Sequence, residues 1–140
     1  MPTNDSDLAL LLDRFVRRVH ISLTEKAQEF DRDRIGPGGA ILLLTLADLG
    51  QPTMQELARR MARDKSQMTR AVAALEQKGM VGRATSKADG RVSHVVLTPK
   101  GHAMVETHRN AVAETIGDIL TPIAEVERAA LRALLAKVLE

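Results

Sequence analysis

The chain has 140 residues, 44% of them hydrophobic and 27% charged, a composition that fits one compact domain and excludes an intrinsically disordered chain. It contains no cysteine, which excludes a disulfide framework, a thiolate nucleophile, a thiol redox switch and a Cys-based zinc site. The net charge of +2 hides an asymmetry: between Thr53 and Gly101 ten Lys/Arg stand against four Asp/Glu, a local net of +6 that leaves −4 for the flanks.

A basic middle between acidic ends is the electrostatic footprint of a nucleic-acid surface, although a solvated charged face would read the same way. The first residues, MPTNDSD, are polar and acidic, with no basic stretch ahead of an apolar one, the wrong pattern for a secretory signal. The longest apolar run, from Ala40 to Gly50, is interrupted by Thr45 and Asp48. It falls short of the roughly 20 residues of a membrane span. The expectation is a cytoplasmic protein.

In chain order, Leu8, Leu12, Phe15, Val19, Leu23 and Phe30 recur at near-helical spacing, widened by Leu11 and Val16. They predict a long amphipathic helix from about Asp7 to Asp31. Gly36-Pro37-Gly38-Gly39 is expected to break the chain. Ala40–Leu49 follows as a second helix, apolar nearly all round and expected in the core, and Gly50-Gln51-Pro52 stops it. Thr53-Met54-Gln55-Glu56 has the form of a capping box opening a third helix that buries Met54, Leu57, Ala58 and Met61. After a break at Ala62-Arg63, Asp64 and Gln67 offer a second capping box. The fourth helix buries Met68, Val72 and Leu75 and stops at Gly79.

Two short helices joined by a tight turn form a helix-turn-helix, whose second helix lies in the major groove. With Met68, Val72 and Leu75 turned inward, Lys65, Ser66, Gln67, Thr69, Arg70, Ala73 and Gln77 face outward. Gln67 has the donor–acceptor pair that reads adenine, and Arg70 the fork that reads guanine or grips phosphate. Ser66 and Thr69 suit base or backbone contacts, and Ala73 is small enough for close approach to the groove. An ordinary amphipathic surface helix remains the alternative on this segment alone.

Met80–Thr85 and Arg91–Leu97 are rich in β-branched residues and predict two short strands. The loop Ser86–Gly90 joins them, with Asp89-Gly90 as the turn signal. Thr98 and Pro99 are the N-cap and first residue of another helix. Helix, turn, helix, hairpin is a winged helix, in which Lys87 and Arg91 at the hairpin can lie along phosphates or enter a narrow minor groove. In the last third, Val105, Val112, Ile116 and Ile119 form one stripe, and Ile123, Val126, Ala130, Leu134 and Val138 another, widened by Leu131, Leu135 and Leu139. Thr121-Pro122 separates them. Such apolar faces at both ends of so small a chain call for a second copy, with a monomeric bundle as the alternative.

The segment from about Ala40 to Gly101 resembles the multiple antibiotic resistance regulator (MarR) family. The resemblance rests on LEQKGMVGR (Leu75–Arg83), DGR (Asp89–Arg91) and VVLTPKG (Val95–Gly101). With the helical ends it covers nearly the whole chain. It implies a mainly α fold with a small β-hairpin wing. The winged helix-turn-helix lobe, about 36–101, is flanked by dimerisation helices, about 7–31 and 99–139. It further implies a homodimeric transcriptional regulator, usually a repressor, that binds double-stranded DNA at a pseudo-palindromic site. A small-molecule effector would bind where the dimer helices meet the DNA-binding lobe, near Leu12–Phe30 and Ala40–Leu44. The implied wing element is Asp-x-Arg, here Asp89 bracing the hairpin and Arg91 at DNA. Many members carry a second arginine between them, where this chain has Gly90, and the family's oxidant-sensing branch needs a cysteine this chain lacks. The expected DNA-binding set is therefore Lys65, Ser66, Gln67, Thr69, Arg70, Lys87, Asp89 and Arg91.

Chemistry is not indicated. His20, His94, His102 and His108 form no helical ligand pair or cluster, Glu25 and Glu29 lack a nucleophile, and Gly36, Gly38 and Gly39 lack the strand that precedes a phosphate loop. No cofactor and no metal is expected. A winged-helix adaptor for protein partners is the remaining alternative, and the Lys/Arg bias argues against it.

Overall fold

The computed structural model describes residues 5–85, 90 and 92–140. The elements in order are α1 (Asp5–Phe30), α2 (Gly36–Leu49), α3 (Met54–Arg60), α4 (Lys65–Gln77), β1 (Val81–Thr85), β2 (Ser93–Leu97), α5 (Pro99–Ile119) and α6 (Glu125–Leu139). The fold is mainly α with one antiparallel hairpin, in which Val81 pairs with Leu97 and Thr85 with Ser93. None of the described helices is long and apolar enough to cross a membrane. The residues separate into two compact units: Lys26–Asn110, and a second made of the chain ahead of it together with Ala111–Glu140.

Lys26–Asn110 has its own core. Leu42, Leu43 and Leu46 from α2, Leu57 and Ala58 from α3, and Met68, Val72 and Leu75 from α4 pack with Met80, Val81, Val95 and Val105. Helix α2 is not buried all round, because Ile41 is 55% exposed. Nor does Gly36-Pro37-Gly38-Gly39 break the chain; it is the first turn of α2. Pro37 is pre-set for a helix start, and the Asp31 carboxylate accepts the amides of Ile35 (3.0 Å) and Gly36 (2.9 Å), which would otherwise be orphans. At Gly39 a Cβ would stand 2.8 Å from Ile35 Cβ, so the turn closes only around glycine.

The predicted N-caps of α3 and α4 are present, the first without the reciprocal half of its predicted capping box. Thr53 accepts the Glu56 amide at 3.1 Å. Asp64 Oδ1 accepts the Gln67 amide at 2.7 Å, and Gln67 Oε1 accepts the Asp64 amide at 3.3 Å, a complete capping box. Helix α4 ends with Gly79 at φ +76. There Met80 N–H donates to Leu75 O and Gly79 N–H to Glu76 O, each at 3.0 Å, the Schellman arrangement. The first strand starts one residue later than predicted because Met80 is spent on this cap. The second strand runs Ser93–Leu97, with Ser93 opposite Thr85; its predicted start at Arg91 lies outside the described residues. A third rung was not predicted: Val95 N–H donates to Pro52 O at 2.8 Å and Thr53 bridges His94, tying the hairpin to the start of α3.

The turn between α3 and α4 passes through Ala62 at φ +52, a left-handed conformation that costs a Cβ-bearing residue about 1 kcal/mol or more. Ala62 is exposed, so no packing is lost on removing its methyl. Ala62→Gly is expected to raise stability by about 0.5 kcal/mol, after the added entropy of the unfolded chain is discounted. The urea midpoint checks this; a lower midpoint would show that the turn carries no strain.

In the second unit α5 buries Ala111 and Thr115, and Arg128 Nη2 closes the α5–α6 turn by donating to Leu120 O at 3.0 Å. Neither α1 nor α6 has a buried residue. Leu8, Leu10, Leu11, Leu12, Val16 and Ile21 on α1 are each at least half exposed, and on α6 Val126, Leu134, Val138 and Leu139 are 62–82% exposed.

Candidate nucleic-acid interface

The start of α4 gathers most of the predicted contact residues. Lys65, Ser66, Gln67, Thr69 and Arg70 are all exposed, as are Ala73 and Gln77, while Met68, Val72 and Leu75 anchor the opposite face at no more than 2% exposure. Helical period alone forces this division, since the anchors recur at i, i+4 and i+7. Lys65, Ser66, Thr69 and Arg70 line one shallow, open concavity. Among the described residues neither Lys65 nor Arg70 makes an ion pair. Both cations are therefore available to an anionic partner, at a helix N-terminus whose dipole adds to the same field.

Gln67 and Thr69 differ from this picture. The Gln67 carbonyl oxygen closes the capping box, which leaves its amide donors and one acceptor lone pair uncommitted. Reading adenine through both groups would make that oxygen serve the cap and the base together. The Thr69 hydroxyl donates to Lys65 O at 2.7 Å, which leaves its methyl and its acceptor lone pairs for a partner. Arg70 thus presents the fullest donor set on α4.

Three predicted contact residues, Lys87, Asp89 and Arg91, lie outside the described residues. An added Cβ at Gly90 would meet no atom of the described residues within 4 Å.

Several residues that hold this surface in place were not singled out from the sequence. Arg83 on β1 donates to Glu76 on α4 at 3.0 Å, joining the base of the hairpin to that helix. The other edge of the hairpin is fixed by His94, whose Nδ1 lies 2.8 Å from Gln51 O. Lys78, just past α4, donates to Arg34 O at 2.9 Å, and Lys100 donates to Lys78 O at 2.8 Å and to Asp33 at 3.2 Å. These partners are up to 67 residues apart, and no local pattern signals them. Exposed pairs of this kind add little stability singly; their effect is to fix orientation. Among the described residues no group of three His, Asp or Glu is placed to hold a metal ion.

Comparison with known proteins gives a consistent result. The model of the MarR family matches residues 41–93. The HTH-type transcriptional regulator PecS of Dickeya dadantii (strain 3937) is 30% identical over 136 residues, covering 95% of this chain and 76% of that protein. Wild-type MarR from E. coli, in its apo form, superposes with a TM-score of 0.76 at 25% identity, covering 95% of this chain and 97% of the other. FabT of Streptococcus pneumoniae, whose structure is a complex with DNA, gives a TM-score of 0.80 at 18% identity, covering 96% and 94% of the two chains.

Proposed function

Because the chain belongs to the MarR family of transcriptional regulators, and so to a family of regulators rather than enzymes, we infer that it is a repressor acting as a homodimer on a pseudo-palindromic operator. The observation that carries this reading is the start of α4, where five exposed polar side chains stand over a fully buried apolar face. Lys65 and Ser66 grip the backbone, Arg70 and Gln67 read base edges, and Thr69 offers its methyl to thymine. Lys87 and Arg91 supply the wing contacts, with Asp89 as the brace. The unpartnered apolar faces of α1 and α6 supply the second copy's docking surface. In a two-fold dimer the recognition helices would sit about 34–36 Å apart, one DNA turn. Release by a small molecule belongs to the same reading: a compound that binds one separation of the two helices better than the other shifts the population away from the DNA-binding form.

The test is a titration with DNA from upstream of the protein's own gene against scrambled DNA, at two salt concentrations. A preference of about 10³-fold or more, with a steep loss of affinity at high salt, supports the reading. An absence of binding even at low salt overturns it in favour of a protein-binding winged helix. On the operator so found, Arg70→Ala and Gln67→Ala are each expected to cost about 1–3 kcal/mol and to relax base preference. Equal losses on cognate and scrambled DNA would reassign them to the phosphate backbone.

A further inference from the structure

His108, on α5, is only 8% exposed, and its Nε2 is the one buried side-chain nitrogen or oxygen without a hydrogen-bond partner among the described residues. Its ring meets Phe30, the last residue of α1, edge to face, with centroids 5.1 Å apart and planes at 86°. The next residue is Asp31, whose two carboxylate oxygens hold the amides of Ile35 and Gly36 at the start of α2. A titratable ring thus packs on the last residue of α1, and the residue after that one caps the start of α2. A neutral imidazole suits this setting, since it packs on Phe30 as an aromatic ring. An imidazolium there is a buried cation with no partner at Nε2, and Asp31, the anion whose charge acts on it, is already committed to two amides.

We propose that His108 is a proton-sensitive latch on the Lys26–Asn110 unit, whose protonation draws the Asp31 carboxylate away from the Ile35 and Gly36 amides and loosens the start of α2. Asp31 is the charged group that acts on His108, and the other titratable or charged groups close to either residue along the chain are paired or exposed. On α5 Glu106 and Arg109 pair with each other at 3.0 Å, and His102 is exposed. On α1 Lys26, one turn before Phe30, has an interaction of its own, and Glu29 is exposed. Asp33 is held by Lys100, and α2 has no acidic residue in its first turn.

The direction of the pH effect follows from burial. Desolvation pushes His108 below its ordinary 6.5, and Asp31 partly opposes the shift. A folded-state value below the unfolded one means that the unfolded chain binds the proton first. The stability contributed by the neutral ring is therefore present above pH 6.5 and is lost as pH falls through the lowered value.

The experiment is amide hydrogen exchange on the full chain between pH 7.5 and 5.5, corrected for intrinsic rates, with the His108 ring titrated by NMR on the same samples. This range lies above that in which an ordinary aspartate, near about 3.9, takes up a proton. In the wild type, protection at Ile35 and Gly36 is expected to fall in step with His108 protonation. In His108→Phe, which keeps the ring and removes the proton, it is expected to stay level. The same fall in His108→Phe, or a wild-type ring that titrates at or above 6.5, overturns the proposal. Should His108→Phe fail to fold, the wild-type titration decides: loss of Ile35 and Gly36 protection at a pH separate from the ring's own midpoint overturns it equally.

Discussion

In the proposed dimer, Leu134→Arg is expected to separate the two copies and to lower affinity for the proposed operator by about 10²–10⁴-fold, while leaving the helical content unchanged. In the single chain Leu134 is 62% exposed, and α6 buries no residue at all. The substitution therefore removes little from the chain's own packing. In a dimer the same position is apolar surface withdrawn from water, worth about 1.5–3 kcal/mol for a fully buried leucine. A guanidinium introduced there without a partner adds a desolvation penalty. Two such penalties act on each dimer because the two-fold axis repeats the contact. The loss of DNA affinity is larger than that at any single base contact because the second half-site is then no longer bound intramolecularly. Effective concentrations of linked modules account for factors of the size given above. Sedimentation and the operator titration check the two halves separately. A dimer that persists with wild-type affinity would place the interface away from α6.

Gly101→Ala is expected to cost about 3 kcal/mol or more, through backbone displacement rather than through lost contacts. A Cβ at this position would stand 2.0 Å from the Met80 carbonyl oxygen and 3.2 Å from Leu97 Cδ2. That carbonyl cannot move freely, because it accepts the Thr98 amide at 3.0 Å and belongs to a fully buried residue that completes the cap of α4. Thr98 is fixed in turn: its hydroxyl donates to Gly79 O and accepts the Gly101 amide at 3.1 Å. The end of the recognition helix, the end of the hairpin and the start of α5 thus close on one point that has no room for a methyl group. Chemical denaturation measures the loss, and a variant with an unchanged midpoint would show that this junction yields easily.

Much of the recognition surface was legible in the sequence because the information that sets it is short-range. A capping box needs two side chains three residues apart, and Asp64 and Gln67 supply them. A helix face needs apolar residues at i, i+4 and i+7, and Met68, Val72 and Leu75 decide which way Lys65 and Arg70 point. Gly79 marks a helix stop through its own φ. Each feature is determined within one or two turns of chain, so the helix-turn-helix and the outward set on α4 follow from sequence alone.

The tertiary structure decided what depends on distant segments meeting. Lys100 reaches the Lys78 carbonyl and the Asp33 carboxylate, 22 and 67 residues away, and no local pattern announces either. Gly101 looks dispensable until the Met80 carbonyl arrives against it. Periodicity and capping act within a helical turn and can be read along the chain. Close packing and the satisfaction of buried polar groups are settled only when residues tens of positions apart compete for the same space and the same hydrogen bonds.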